Sequence, residues 1–398
     1  MCVIYIMNQL PPILRNILEY DQEWCKMMGY KNPYLHSFKN HLRDYVVTTD
    51  QAAYNEYPAM RHVYDKLWVA KTQGLKCGRL EELEGKEEDV HYPIFIKPRY
   101  GHLSAASKNC FKIRSPEELK RYKGYEDIMW SDFLPGREGM TDFFMLGGNI
   151  VYKLTYLYSP EQHGFSDAWK YVSHETPTPP QIEQWAVKHG AGFTGCMNLQ
   201  YRDGKIIEVS LRPARAGAYF IATDNAALLN NINSLFREGR WDHSKADQQE
   251  FDPYFAFKCH CPVPVLHVWP RTLVNSLMKV LSPHPLHEYY FEPVGDEGVI
   301  FMQFVHPSFK KGMLAKSIIE VLFFITQAIA LVLYALAAYM LFQPSSGMRT
   351  GILIAAVVFF LTRFLNPLFV NYDVFKAYKQ FLLGDKSITT KKEYDSMT

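Results

Sequence analysis

The chain has 398 residues, with 43 Lys and Arg against 41 Asp and Glu. That balance excludes the overall basic field expected of a nucleic-acid-binding protein. Seven scattered cysteines, an odd number, fit a reducing compartment and argue against a disulfide framework.

The N-terminus, MCVIYIMNQLPPILRN, has neither a basic leader nor a long apolar core, so no signal peptide is expected. Residues 1–60 are rich in aromatics, lack a strand-and-glycine pattern and read as a partly helical N-terminal region. Tyr64 to Gln73 predicts a helix, stopped by Gly74 with Lys71 in its last turn. Glu81 to Val90 is acidic and reads as a solvated connection. His91 to Pro98 is a short apolar strand ending on Lys97, followed by a small-residue loop from Arg99 to Asn109. Ser115-Pro-Glu-Glu is a helix start, with a serine cap, proline at the first helical position and acidic residues in the first turn.

Ile128 to Leu134 predicts a strand leading into Pro135-Gly136-Arg137-Glu138. Two hairpins follow: Met140–Met145 with Asn149–Tyr158 about Gly147-Gly148, and Cys196–Tyr201 with Lys205–Leu211 about Arg202-Asp203-Gly204. Gln181–His189 and Ala226–Glu238 read as helices, the latter ending at Gly239. Helices mixed with antiparallel hairpins predict an α+β (mixed α/β) fold rather than a doubly wound parallel sheet.

Residues 246–312 form an aromatic, proline-rich connection in which Thr272–Leu281 reads as an amphipathic helix. Packing on the head and lying at a bilayer interface as a collar both remain open for this region. Cys259-His260-Cys261 with His267 lacks the second ligand pair that a zinc site needs.

Val321 to Phe342 contains no charge, and its clearly polar members are Thr326 and Gln327. At ~1.5 Å per residue it matches the roughly 30 Å hydrocarbon core of a bilayer. A second apolar run, Gly351–Val370, follows a turn at Gln343–Gly347 and is interrupted by Arg363, Asn366 and Pro367, so a re-entrant or interfacial helix competes with a full span. A transmembrane helical hairpin over 313–372 is the expectation. Lys310, Lys311 and Lys316 precede it, and Lys376, Lys379, Lys386, Lys391 and Lys392 follow in a basic tail, 373–398, whereas the turn carries only Arg349. The positive-inside rule therefore places the soluble head and both termini on the cytoplasmic side.

Four segments carry chemistry. Asp65-Lys66 opens a helix that leads to Gly74-Leu-Lys-Cys-Gly78; Ile96-Lys97-Pro98 precedes the small-residue loop. Asp132-Phe-Leu-Pro-Gly-Arg-Glu138 is the third, and Asn198-Leu-Gln200-Tyr with Glu208-Val-Ser-Leu-Arg212-Pro-Ala-Arg215 the fourth. Two lysines can neutralise phosphate oxygens, and a small loop can close its N–H groups over them. Gln200, Glu208 and Ser210 supply the oxygen donors that a hard cation requires. Glu208, Ser210 and Arg212 are two apart on one strand and share a face, so a cation stands beside a metal-binding carboxylate.

From Tyr64 to Gly239 these segments, in this order, resemble the ATP-grasp superfamily, especially the branch of carbamoyl phosphate synthetase, biotin carboxylase and D-alanine–D-alanine ligase. The resemblance implies two α+β lobes, 61–131 and 132–245, clasping ATP with Mg2+. Lys66 and Lys97 would meet the phosphates. The backbone of Asp132, Phe133 and Leu134 would meet adenine, and Glu138 the ribose hydroxyls. Gln200, Glu208 and Ser210 would bind magnesium, Arg212 would stabilise the transferring phosphoryl group, and Arg215 would face the acceptor carboxylate. Ser210 and Leu211 stand where the family has asparagine and proline, the phosphate loop has one glycine, Gly101, and the usual N-terminal domain has little room before Tyr64.

The implied reaction is activation of a small-molecule carboxylate as an acylphosphate, then condensation with an amine or thiol. The alternative is a catalytically degenerate domain acting as a nucleotide sensor or membrane scaffold. The implied partners are the two small-molecule substrates and the bilayer, with no nucleic acid. A transporter has the least support, since two apolar segments line a pore only in a homo-oligomer.

Overall fold

The computed structural model describes residues 46–370 apart from 48, 104–109, 123, 161, 164–165, 215–224, 245–250, 264, 270, 285–286, 294–297 and 344–346. Most of the N-terminal region, the centre of the small-residue loop, Arg215 and the basic tail thus lie outside the described residues.

Thr49 caps helix α1 (Asp50–Glu56) by accepting the Ala52 N–H, and a 3-10 turn, Pro58–Tyr64, follows. The single helix expected from Tyr64 to Gln73 divides here. Asp65 is extended and its carboxylate accepts the N–H groups of Leu67 and Trp68, so helix α2 runs Lys66–Thr72. A side-chain acceptor placed just outside a helix satisfies its orphan donors, which is why aspartate ends one element and starts the next. Strands β1 (Cys77–Arg79), β2 (Ile94–Pro98) and β3 (Phe111–Ile113) come next. Ser115 caps α3 (Pro116–Leu119) by accepting the Glu118 N–H, and β4 is Ile128–Asp132.

The first hairpin joins β5 (Glu138–Leu146) to β6 (Asn149–Tyr158) through Gly147 and Gly148, whose φ of 58° and 90° suit a residue without Cβ. The short strands β7 (Gln162–His163) and β8 (Ser166–Asp167), then β9 (Trp169–Ser173) and α4 (Pro180–His189), lead to the second hairpin. That is β10 (Gly195–Arg202) with β11 (Lys205–Ser210), turned by Asp203 and Gly204 at φ 47° and 71°, the signs of a type I′ turn. Helix α5 (Ala226–Glu238) ends on left-handed Gly239. Then come β12 (Tyr254–Cys261), α6 (Arg271–Leu281), β13 (His287–Pro293), β14 (Val299–His306), α7 (Phe309–Met340) and α8 (Gly347–Val370).

Two compact units result, one from the described residues of 38–160 and 170–253, the other from those of 161–169 and 254–386. The first holds an antiparallel sheet of order β1-β4-β2-β3 and the antiparallel succession β11-β10-β5-β6-β9. Its class is therefore α+β, as the mixture of helices and hairpins predicts. Ile94, Ile96, Ile113, Leu119 and Ile128 fill the core of the smaller sheet, and Val63, Val69, Phe143, Met197, Leu199 and Val209 belong to the larger core.

In the second unit the strands lie in the order β12-β14-β13, all antiparallel. Every position of β14 is buried, so the alternation by which a strand is recognised is absent from 299–306. Helix α7 lays Ala315, Ile319 and Phe323 into a core with Phe257, Phe301 and Phe304. A Cβ on Gly312 would sit 2.1 Å from the Phe257 ring, so only glycine lets the helix approach this closely. The apolar run from Val321 is thus the later part of a helix that begins by covering a sheet. Among the described residues α7 is long and apolar enough to cross a membrane, with a mean hydropathy of 2.3 over its most apolar 18 residues.

Candidate active site

All the described candidate residues fall in the first unit, where Lys66 of α2, Lys97 of β2 and Glu208 of β11 meet and Glu138 of β5 meets Gln200 of β10. Lys66, the first residue of α2, is 5% exposed, and its Nζ lies 3.1 Å from Oε1 of Glu208 on β11. The helix start is clamped to the end of β2: Arg99 Nε and Nη2 donate to the two oxygens of Asp65 at 2.9 and 2.5 Å, and the Lys66 N–H donates to Arg99 O at 2.9 Å. Burial alone would raise the Asp65 carboxyl, but the Arg99 fork outweighs it and holds it below its ordinary value. Gly101, at the base of the small-residue loop, packs on Lys66 and Tyr64.

Lys97 reaches from β2 to β11, where its Nζ donates to Ile207 O at 2.6 Å. Burial, reinforced by the nearby Lys66 ammonium, pushes Lys97 down to about 8 against the pull of Glu208. Lys66 and Lys97 face the Glu208 carboxylate, and Glu138, which also acts on Lys97, is matched by Arg202, so this corner is short of negative charge that a phosphate would supply. Cys110 lies within the same field. Burial pushes its thiol up to about 11, with Lys66 and Lys97 drawing it the other way.

On the hairpin, Gln200 stands opposite Glu208 and Asn198 opposite Ser210. Opposed residues share a face, so four oxygen-bearing side chains form two facing pairs. Glu138, at the start of β5, is already engaged. Its Oε2 accepts from Arg202 Nε at 3.0 Å and Nη2 at 2.6 Å, and its Oε1 from Gln200 Nε2. The donor end of the Gln200 amide is therefore turned to Glu138, and its carbonyl end is the one suited to a cation. Among the described residues no group of three or more His, Cys, Asp or Glu is placed to hold a metal. One carboxylate with neutral oxygens fits magnesium that takes further ligands from a nucleotide's phosphates.

Arg212 is held by Asp50, which lies ahead of the segments named above, and by its neighbour Pro213. Its Nε and Nη2 donate to Asp50 Oδ2 at 2.9 and 2.6 Å, and its Nη1 to Pro213 O at 3.1 Å. Tyr64 Oη donates to Asp50 Oδ1 at 3.4 Å and accepts the Leu211 N–H at 3.0 Å, bracing the same segment. Behind it Asp142, fully buried on β5, accepts from Tyr156 Oη at 2.6 Å, Asn198 Nδ2 at 2.7 Å and the Ala214 N–H. Burial pushes Asp142 up to about 6 in spite of these donors.

Asp50 and Asp142 escape the sequence reading. For Asp142 a signal exists, a lone carboxylate inside the apolar run Met140 to Met145; for Asp50 there is none. In the segment expected to meet adenine, the Asp132 N–H donates to Lys76 O and the Phe133 N–H to Pro93 O, while the Asp132 carboxylate accepts the Lys76 N–H. Leu134 is half-buried beside them.

No protein-family model and no curated protein sequence matches the chain. Solved structures do match. L-amino acid ligase from Bacillus licheniformis is 13% identical over 67% of this chain and 71% of its own, with a TM-score of 0.48. N5-carboxyaminoimidazole ribonucleotide synthetase from Thermus thermophilus is 12% identical over 67% and 77%, at 0.45. Phosphoribosylamine–glycine ligase from Thermotoga maritima is 15% identical over 65% and 75%, at 0.41. At such identities and scores the chemistry of this chain rests on its own side chains.

Proposed function

We propose that the protein is a membrane-anchored ATP-grasp ligase that activates a small-molecule carboxylate with Mg·ATP and joins it to an amine or thiol. The observation that carries this reading is the convergence of Lys66, Lys97 and Glu208, drawn from α2, β2 and β11 onto one charged corner. Lys66 and Lys97 bind phosphate oxygens, and the Asp132–Leu134 segment and Glu138 take the nucleoside. Gln200, Glu208 and Ser210 hold magnesium, which when bound neutralises charge on the phosphates. Arg212 orients and neutralises the group in transfer as the substrate carboxylate attacks it, and the acylphosphate then yields to the acceptor with release of phosphate. Arg215, outside the described residues, is proposed to meet the acceptor carboxylate. The anchor is α7 with α8, with the head on the cytoplasmic side.

The degenerate reading draws support from two details: Ser210 in place of asparagine, and Glu138 already bonded to Arg202 and Gln200. One experiment separates the two. Full-length protein is assayed for magnesium-dependent ADP release with panels of amino acids and amines, beside Glu208→Ala. A ligase releases ADP only with an acceptor pair and loses this in the variant. Nucleotide binding without turnover in any panel overturns the ligase reading in favour of the sensor.

A further inference from the structure

The two polar side chains within the apolar part of α7 are both taken by one loop of the same unit. Gln327 Oε1 accepts the N–H groups of Leu266 and His267 at 2.7 and 2.8 Å, and its Nε2 donates to His267 O at 2.9 Å. Trp269 Nε1 donates to Thr326 Oγ1 at 2.9 Å, and the Trp269 N–H to Tyr289 Oη at 2.9 Å. The His267 ring stacks on Phe359 of α8 with centroids 3.7 Å apart. The loop Val265–Trp269 is therefore fastened to both helices, part of the way along the apolar run.

Gln327 is thirteen residues from Met340, the last residue of α7, or about 20 Å along the helix. A bilayer's hydrocarbon core is about 30 Å thick. For the end of α7 to reach the far headgroups, the loop must sit roughly 10 Å inside the near boundary. The outer face of α7 agrees, since exposed apolar side chains reach back past Val321 to Ile318 and Leu314. Backbone at that depth is tolerated only where its polar groups are bonded within the protein, and the bonds to Gln327, Thr326 and Tyr289 meet that condition. Helix α6 follows directly and turns Leu273 and Val280, seven apart and so on one side, outward at 42% and 83% exposure. Its Lys279 is exposed, with a stem long enough to reach headgroups.

We infer that the loop Val265–Trp269 and helix α6 form a collar immersed in the near leaflet, so that this unit is partly sunk in the bilayer rather than held above it on a stalk. This rests on the reading of α7 and α8 as membrane-inserted. The test uses full-length protein in phosphatidylcholine vesicles, spin-labelled through Leu273→Cys, Val280→Cys, Leu336→Cys and Lys188→Cys, with the unsubstituted chain as background. Expected is loss of collisions with a water-soluble nickel chelate, and gain of collisions with oxygen, at 273, 280 and 336 but not at 188. Shielding at 336 with full chelate access at 273 and 280 overturns the collar and leaves the anchor standing. Full chelate access at 336 as well overturns both.

Discussion

Asp50 and Arg212, 162 residues apart in the chain, are joined by two N–H···O bonds to a single carboxylate oxygen. A guanidinium has five N–H donors. Asp50 and Pro213 take one from each nitrogen of Arg212, which leaves one on each terminal nitrogen, the spacing that grips two phosphoryl oxygens. Asp50 is thus a positioning residue in the proposed reaction. Asp50→Ala should lower turnover far more than it raises the KM for ATP, and Asp50→Glu should recover part of the loss. Steady-state kinetics decides this, and an equal change in both parameters would leave Asp50 a structural role only.

In the proposed site, Lys97 should make nucleotide binding depend on pH. Its folded value of about 8 lies below the ordinary 10.5, so between these values the free protein holds fewer protons here than the unfolded chain does. Stability from this group is therefore lowest below pH 8 and rises toward pH 10.5. A bound phosphate restores the proton, so Mg·ATP affinity should fall above pH 8 by up to about tenfold per unit. Titration calorimetry over this range should show proton uptake, and Lys97→Arg should flatten the dependence. A flat profile in the parent chain would remove Lys97 from the phosphate site.

Asp142 acts in the opposite direction on stability. With a folded value of about 6 against an ordinary 3.8, the native state holds its proton more tightly than the unfolded chain. Its contribution therefore falls as pH rises from about 4 to 6. Asp142→Asn removes this dependence, but it turns an amide donor toward the Asn198 amide or the Ala214 N–H. The expected loss is about 1–3 kcal/mol. Thermal melts from pH 4 to 7 on both chains check the sign and the size.

Ser210 invites a change to asparagine, the residue that stands there in the superfamily the sequence resembles. It is 6% exposed and faces Asn198, which is itself bonded to Asp142. The two extra heavy atoms should overpack this corner at a cost of about 1–3 kcal/mol. A chain carrying Ser210→Asn that melts no lower than the parent would show that the hairpin has room for the larger ligand.

What was legible in the sequence was what local chemistry determines. The turns at Gly147-Gly148 and Asp203-Gly204, the Ser115 cap and the Gly239 stop are each written in a few adjacent residues, and each is found where expected. Asp65 shows the limit of that method, since its side chain favours the position before a helix over one within it. The bonds of Arg212 to Asp50, and of Glu138 to Arg202 and Gln200, join distant segments, and no local pattern announces them. Strand β14 stayed hidden for another reason, because a strand buried on both faces does not alternate.

Helix α7 changes its surroundings along its length. Its first turns complete a protein core through Gly312, Ala315, Ile319 and Phe323, and its last turns are apolar on the outside. Cutting the chain before Phe309 to obtain a water-soluble head would therefore do more than remove a tether. It would uncover the Phe257, Phe301 and Phe304 rings and leave an open apolar sheet face, which self-associates. A soluble form would have to keep the helix to Phe323 and exchange only its outward side chains for polar ones.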